Sequence, residues 1–238
     1  MSAHEATGLM AFWKDIEADF IAEFRQWHNC EHMPERVGIS GFTVGRRYCG
    51  IGEAPKIFVA YETDDPGVLR SKPYLERLND PTPWTRKSVA RFRNGVRTTY
   101  RMEASAGSLC PTESPYLLTS RFNVAADTEA DWLDWCRETY LPELAGLDGV
   151  YRARLYAVDE AGSGVETSER ALHGSQAAGQ TYLFWIELAS PDLHEDAAFQ
   201  AIGAGRLTEC RDTLSDVSWL DFVLYSPSAD RGRCGGRG

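Results

Sequence analysis

The segment Trp27-His-Asn-Cys-Glu-His-Met-Pro-Glu-Arg36 has a counterpart 108 residues later, Trp135-Cys-Arg-Glu-Thr-Tyr-Leu-Pro-Glu-Leu144. The same offset, without a gap, also aligns three residues after each segment: Gly41 with Gly149, Arg46 with Arg154 and Tyr48 with Tyr156. Agreement of this kind at turn and helix-end residues indicates an internal repeat. The sequence therefore predicts that one structural module occurs twice in the chain.

Further along the chain, the offset between the two copies grows from 108 to 125 residues. At the larger offset Phe58–Glu62 aligns with Leu183–Glu187, and Pro66 aligns with Pro191. The extra residues of the second copy fall within Asp159–Gly179, a stretch rich in Gly, Ser and Ala that is typical of a loop. The second copy is thus predicted to carry an insertion of unassigned role.

Each copy is predicted to run strand, helix, strand, strand, helix, strand. The predicted strands are 9–16, 41–49, 57–63, 92–102, 115–124, 150–158, 180–189 and 217–226, and the predicted helices are 17–32, a helix beginning at 65–66, 128–144 and 191–204. Pro34 is expected to end the first helix, because the residue before a proline is disfavoured in the helical region. This order is the ferredoxin-like βαββαβ module, an α+β fold, whose open sheet face a second copy would cover.

Composition sets the expectations for domains, location and partners. We predict modules over residues 1–108 and 109–226, followed by a disordered tail at 227–238 that has too few apolar side chains to pack. The net charge of −10 disfavours nucleic acid and anionic membranes as partners. Without a long apolar run or signal-peptide pattern, we expect a cytoplasmic monomer or homodimer.

Several residues of the first copy match a known pattern: Trp27–Arg36, Gly41-Phe42, Arg46–Tyr48, Tyr61-Glu62, Ser71 with Tyr74, and Pro81-Thr-Pro-Trp84. This set resembles the dimeric α+β barrel superfamily, and within it the EthD-like and HapK-like proteins. The resemblance implies a barrel closed by two modules of one chain instead of two chains. Because the superfamily includes isomerases, polyketide cyclases, cofactor-free monooxygenases and heme enzymes, the resemblance implies a fold more firmly than a reaction.

The two copies differ most in ionisable residues near the first helix. His28, Glu31, His32 and Arg36 of the first copy correspond to Cys136, Thr139, Tyr140 and Leu144 of the second. At 100° per residue, His28 and Glu31 share the inward face and His32 lies at its margin. We predict a catalytic pair, with His28 as general base or acid and Glu31 orienting it; a structural pair at a helix end is the alternative.

A metal is the main alternative use of these residues. The sequence His28-Asn-Cys-Glu-His32 spells the H-x-x-E-H pattern of inverted zinc peptidases, although those enzymes have a larger architecture. A divalent metal held by His28, His32 and either Glu31 or Glu35 remains open. So does heme bound through one of the two histidines, as in some proteins of the superfamily. The leading hypothesis uses no cofactor.

Further side chains are predicted to contact the substrate. Arg47 or Tyr61 would stabilise an oxyanion, while Arg46 and Tyr48 recur in the second copy and are expected to be architectural. The remaining predicted substrate contacts are the polar residues Asn29, His32 and Arg36 and the aromatic residues Trp13 and Trp84, with Tyr74 and Phe92 adding to an aromatic lining. These residues predict a flat, apolar ligand in the barrel lumen.

Three functions follow as hypotheses. The first is a cofactor-independent lyase, isomerase or cyclase that moves protons on a small aromatic or polyketide-like metabolite. The second is a metal- or heme-dependent oxidoreductase. The third is a non-catalytic small-molecule carrier or biosynthetic accessory protein, which would bind a ligand without turnover.

Overall fold

The computed structural model describes residues 5–52, 57–108 and 113–227, so the predicted disorder of the tail beyond residue 227 lies outside the described residues. Its strands are β1 (Gly8–Ile16), β2 (Phe42–Gly50), β3 (Ile57–Thr63), β4 (Phe92–Gly107), β5 (Tyr116–Asn123), β6 (Val150–Val158), β7 (Tyr182–Leu188) and β8 (Arg211–Tyr225). They form a closed antiparallel barrel in the order β1-β3-β2-β8-β5-β7-β6-β4. The predicted fold, a dimeric α+β barrel within one chain, is confirmed.

The barrel consists of two equivalent four-stranded sheets. The order β4-β1-β3-β2 in the first sheet is repeated as β8-β5-β7-β6 in the second, and the sheets join where β2 pairs with β8 and β4 pairs with β6. Closure leaves no sheet edge open to pair with another chain. The predicted division near residue 108 falls beside residues 109–112, which are not described, and stays a prediction.

Two strands are longer than the sequence predicted, and each belongs to both sheets. Strand β4 pairs with β1 over Phe92–Arg101 and then with β6 as far as Gly107. Strand β8 likewise pairs with β5 from Arg211 and with β2 up to Tyr225. The prediction 92–102 therefore captured the part of β4 within its own module, whereas 217–226 captured mainly the part of β8 that pairs with β2 of the first module.

The helices pack on the outside of the barrel. They are α1 (Ile21–Trp27), α2 (Met33–Val37), α3 (Lys72–Asn79), α4 (Pro83–Val89), α5 (Glu129–Trp135), α6 (Leu141–Ala145), α7 (Glu160–Ser163), α8 (Ser168–His173) and α9 (Ala197–Ala201). The predicted helix 191–204 was wrong in extent, since only a 3₁₀ turn and α9 form there. Two helices, α7 and α8, lie in the predicted loop 159–179. Within the described residues, no helix has the length and apolar character needed to cross a membrane.

The expectation that Pro34 ends the first helix was wrong. A π-helical turn, His28–His32, joins α1 directly to α2, and Pro34 lies in the first turn of α2. In this turn the Met33 N–H donates to the carbonyl of His28, five residues earlier. The wider turn accommodates a proline ring that would clash with the preceding turn of a regular α-helix. The second copy repeats the device at Cys136–Tyr140, before Pro142.

The barrel interior is filled by side chains. Trp13 stacks on Phe58 with ring centroids 4.6 Å apart, and Tyr48 and Trp185 pack against the same group. Because side chains alternate along a strand, Phe12 and Lys14 lie on the other face of β1, beneath the helices. Trp13 therefore faces the barrel interior, as predicted, but side chains fill that interior, and its contact with a substrate stays a prediction.

Buried ion pairs complete the interior. Glu62 binds both Arg46 and Arg154, while Glu187 accepts hydrogen bonds from Arg152 and Arg154. The two repeated arginines, Arg46 and Arg154, thus link carboxylates of both modules. This placement supports the prediction that residues shared by the copies are architectural.

Candidate functional site

A cavity lies in the first module between the outer face of the sheet and the helices, outside the barrel interior. Its volume is about 380 Å³ including the space at its mouth. The lining consists of Met10, Phe12 and Lys14 from β1, Trp27, His28, His32 and Arg36 from the first helical segment, Val59 and Tyr61 from β3, Tyr74, Phe92 and Arg97, and Glu169 and His173 from α8. The cavity proper is only about 20 Å³ of this, room for about one water molecule, so a larger ligand would enter only if lining side chains moved.

The second module has a hydrophobic core where the first has this cavity. The strand registers and the helix alignment give the equivalent positions in the two copies. Six residues that line the cavity or lie next to it in the first copy are Lys14, His28, His32, Arg36, Arg47 and Tyr61. Their equivalents in the second copy are, in the same order, Phe122, Cys136, Tyr140, Leu144, Leu155 and Ile186. All six second-copy residues belong to one buried hydrophobic cluster. The fold therefore accepts apolar or weakly polar side chains at these positions. Folding alone does not explain the polar residues that the first copy has there.

The insertion of the second copy covers this cavity of the first. Helix α8, within the predicted loop 159–179, places Glu169 and His173 among the lining residues. Glu169 binds Arg36 at 2.5 Å, and the His173 ring lies 5.0 Å from that of Phe12. The polar substitutions in the first copy and the insertion in the second, the two main departures from the repeat, therefore meet at one place.

The cavity carries an excess of positive charge although the whole chain is acidic. Arg36 and Arg97 line it, whereas Glu169 is the one carboxylate among the lining residues. Burial raises the pKa of Glu169, with Arg36 acting in the opposite direction. Arg97 donates to the Tyr74 hydroxyl at 3.0 Å. An anionic ligand would find more opposite charge here than like charge.

His28 is held in one tautomer by Arg47. The Arg47 guanidinium, which has only donors, lies 3.1 Å from Nδ1 of His28, so Nδ1 must carry the lone pair. Burial, then Arg47, keep the pKa of His28 well below its usual value of 6.5, so the ring is neutral with its proton on Nε2. That Nε2–H points to the Tyr61 hydroxyl oxygen at 3.4 Å. His28 is therefore a donor to Tyr61 and has no free lone pair.

His32 is the histidine with a free nitrogen. It is 8% exposed, its ring packs 4.5 Å from that of Trp27, and its buried Nδ1 has no hydrogen-bond partner among the described residues. Burial, followed by the charge of Arg36, lowers the pKa of His32 well below 6.5. A buried polar atom without a partner is costly in a native structure. A water molecule or a ligand atom in the cavity would give this nitrogen a partner.

The π-helical turn explains why the sequence placed these histidines incorrectly. An i→i+5 turn advances by less than 100° per residue, so it rotates His32 to the middle of the inward face and moves Glu31 towards the edge. Arg36, four residues after His32, follows on the same face. Glu31 instead accepts hydrogen bonds from the hydroxyls of Thr82 (2.5 Å) and Thr85 (3.0 Å). The predicted His28–Glu31 pair was wrong.

Of the other predicted contacts, some reach the cavity and some do not. Arg36 and Tyr61 line it with the two histidines. Arg47 lies behind His28, bound to Asn29 at 2.7 Å and Asp221 at 2.7 Å, so neither Arg47 nor Asn29 is a lining residue. Trp84 is partly buried against the helix core outside the cavity. These two polar residues support the site from behind, and neither of the two tryptophans lines the cavity.

The predicted metal ligands are not assembled. Glu31 faces Thr82 and Thr85, and Glu35 binds Arg36 at 3.0 Å. No group of three or more His, Cys, Asp or Glu side chains among residues 5–52, 57–108 and 113–227 could hold a metal ion. His28 has both ring nitrogens engaged, and the cavity is small for a porphyrin. Neither a divalent metal nor heme fits the residues present.

Sequence reasoning missed four charged or histidine residues of the lining: Lys14, Arg97, Glu169 and His173. Lys14 lies opposite Phe122 of the second copy, and a comparison of the first strands would have found it by the logic that found His28. Glu169 and His173 lie in the insertion, where the repeat offers no counterpart. The one feature of the sequence that pointed to Glu169 and His173 was the presence of the insertion itself, because it departs from the repeat.

The chain was compared with protein families, curated proteins and solved structures. No family model and no curated protein matches it. The similar solved structures include an anthrone oxidase-like protein (TM-score 0.65, 10% identity, 96% of this chain and 97% of that chain). Two others are described as proposed monooxygenases, one from Fusobacterium nucleatum (TM-score 0.63, 5% identity, covering 94% and 96%) and one from Lactobacillus acidophilus (0.60, 6%, 93% and 97%). At these identities the likeness is one of fold, and the finer resemblance to EthD-like and HapK-like proteins stays a prediction.

Proposed function

We propose that the protein is a small-molecule enzyme that removes a proton from an aromatic or polyketide-like carbon acid, with His32 as the general base. The observation that carries the proposal is the buried, unpartnered Nδ1 of His32 in a cavity with excess positive charge. In the step, the C–H electrons stay on the substrate as an enolate and the proton moves to His32. Return of the proton to another atom completes an isomerisation; expulsion of a leaving group completes an elimination.

The electrostatics of the cavity suit an anionic intermediate. Cationic Arg36 lies near His32 and lowers the pKa of the histidine, so the ring is unprotonated and ready to accept a proton. An enolate bound beside Arg36 would offset that charge and raise the pKa of His32, which makes the proton transfer more favourable within the complex. Cations therefore serve both to keep the base free before reaction and to stabilise the product of deprotonation.

Tyr61 is placed to donate a hydrogen bond to the developing oxyanion. Its hydroxyl oxygen accepts from His28, which leaves the hydroxyl hydrogen to donate. Burial raises the pKa of Tyr61 above its usual value of 10, so the hydroxyl stays protonated. Asp221, Arg47 and His28 form a chain of contacts behind it that fixes the orientation in advance, as oxyanion donors require. Arg47 and His28 are positioning residues in this scheme.

A second candidate follows from the described activities of the structural neighbours. Two are described as proposed monooxygenases and one as anthrone oxidase-like. The same deprotonation could precede reaction of the carbanion with dioxygen as a co-substrate, without a metal. Oxygen uptake distinguishes this outcome from isomerisation or elimination. A non-catalytic carrier, the third candidate, would bind the ligand and exchange none of its protons.

Deuterium exchange tests the proposal without knowledge of the final product. A panel of aromatic ketones with an acidic CH₂ group, anthrone among them, is incubated with the protein in D₂O and followed by NMR. We expect exchange at that carbon to be at least about 100-fold faster than in buffer for a member of the panel, the lower end for general base catalysis. Exchange at the buffer rate for every member would refute proton abstraction from this class.

Glu31→Gln is expected to leave that exchange rate within about twofold of wild type, because Glu31 lies outside the cavity. The same variant is expected to lose about 1 kcal/mol of unfolding free energy in urea, since it weakens two hydrogen bonds between the first helical segment and Thr82 and Thr85. A fall in exchange as large as that expected of a lost catalytic base would instead restore the His28–Glu31 pair as the machinery.

A further inference from the structure

Lys14 is a buried amine that the proton transfer does not use. It lies on β1 with 2% exposure and lines the cavity next to His28 and His173. Its Nζ lies 4.1 Å from the ring centroid of Phe12 and 4.9 Å from that of Phe92. Within the described residues, no carboxylate forms a salt bridge with it. A lysine without a counterion is rarely buried for structural reasons alone.

The repeat shows that the fold does not need a lysine at this position. Lys14 pairs with Ile57 in the first sheet, and Phe122 pairs with Tyr182 at the equivalent place in the second. Phe122 is 1% exposed and packs within the second hydrophobic core. The amine is therefore a departure from the scaffold, like the two histidines beside the same cavity.

Burial and nearby positive charge both favour the neutral amine. Desolvation is the main reason that the pKa of Lys14 falls well below 10.5; the Arg47 guanidinium lowers it further, and the Glu169 carboxylate acts in the opposite direction. A lysine that is desolvated or close to another cation becomes a nucleophile at neutral pH, the arrangement found in enzymes that form imines with carbonyl substrates. The position of Lys14 in the cavity and the lowered pKa of its amine therefore both favour a nucleophile.

We propose that Lys14 condenses with the carbonyl group of a small aromatic aldehyde or ketone in this cavity to form an imine. The amine lone pair attacks the carbonyl carbon, and the nitrogen gives up its two protons. The carbonyl oxygen takes up two protons and leaves as water when the C–O bond breaks, so no oxidant or reductant is needed. His32 and Tyr61 line the same cavity and are available to carry these protons. The proposal goes beyond proton abstraction and does not depend on it.

Reductive trapping tests this proposal in the whole protein. Benzaldehyde and cyanoborohydride are added near neutral pH, and the adducts are located by peptide mass spectrometry. The sequence has four lysines, and the exposed Lys72 and Lys87 serve as internal standards. We expect Lys14 to carry the benzyl group at least about tenfold faster than either standard, because burial lowers the pKa of its amine. Preferential labelling of the exposed lysines, or no labelling of Lys14, would overturn the proposal.

Two variants separate a nucleophile from a simple positive charge. Lys14→Met should fold, since the second copy carries an apolar side chain there, and should lose the fast-reacting site. Lys14→Arg keeps the charge and should lose the adduct equally; an undiminished total of fast labelling in either variant would contradict the assignment. Deuterium exchange by the wild-type protein is scored separately, so a failure of trapping and a failure of proton abstraction are distinguishable.

Discussion

Replacing His32 by glutamine is expected to lower the rate of catalysed deuterium exchange by about 100-fold or more, the range for loss of a general base. Glutamine fills similar space and can form hydrogen bonds but cannot accept the proton at neutral pH. His32 lines the cavity, and its Nδ1 has no partner among the described residues that the change would disturb. The rate is measured by NMR on the best substrate of the aromatic ketone panel, with circular dichroism to check folding.

The second copy supplies a matched control for this experiment. Tyr140 occupies the position of His32 there, is buried in the hydrophobic core, and is changed to phenylalanine with almost no change in volume. We expect Tyr140→Phe to retain full exchange activity. In wild type, kcat/KM should stay high at pH values below 6.5, because the lowered pKa of His32 keeps the base unprotonated there. Equal loss in both variants, or full activity in His32→Gln, would remove His32 from the mechanism.

Replacing Glu62 by alanine is expected to destabilise the protein by about 3 kcal/mol, the lower end for breaking a buried ion pair. Glu62 is 5% exposed and binds Arg46 and Arg154, which the change would leave with less compensation inside the barrel. We expect the lower end of the range because each arginine retains another ion pair: Arg154 with Glu187 and Arg46 with Glu113. Urea unfolding at neutral pH measures the difference.

An exposed ion pair serves as the control for Glu62→Ala, and unfolding measurements at acid pH provide a second test. Glu76→Ala, which removes an exposed partner of Lys72, should change the unfolding free energy by no more than about 0.5 kcal/mol. The arginines lower the pKa of Glu62 below its ordinary value of 4.5, so its stabilisation is present above pH 4.5 and is lost as pH falls further. Glu62→Ala should therefore flatten the decline of stability below pH 4.5. An unchanged decline, or equal effects of the two variants, would contradict the role of the network.

The repeat made the fold predictable from the sequence. Trp27 and Trp135, with the residues that follow each, set the register of two modules, and the strand order and closed barrel follow from their pairing. Strand β4 was predicted too short because a module considered alone does not reveal a strand shared with the other sheet, whereas the missed part of β8 pairs with β5 of its own module. Pairing between modules is a long-range feature that local patterns do not encode.

The candidate site was only partly predictable, for two physical reasons. A single π-helical turn changed the helical phase, so His32 was placed at the margin and Glu31 at the centre of the inward face, the reverse of their actual positions. In addition, Glu169 and His173 come from an insertion that has no counterpart in the repeat. The comparison of copies nevertheless identified His28, His32 and Arg36, because it depends on which residues changed and not on where a helix points.

We propose that a cavity replaces the core of the first module, with His28 as a fixed donor and His32 as a free, neutral base. Long-range ¹H–¹⁵N NMR of the histidine rings tests it most directly, with assignments from single His→Gln variants. We predict that both rings are neutral at about pH 6, with the proton of His28 on Nε2 and a titration of His32 well below its usual pKa of 6.5. A proton on Nδ1 of His28, or a pKa of His32 at or above 6.5, would contradict it.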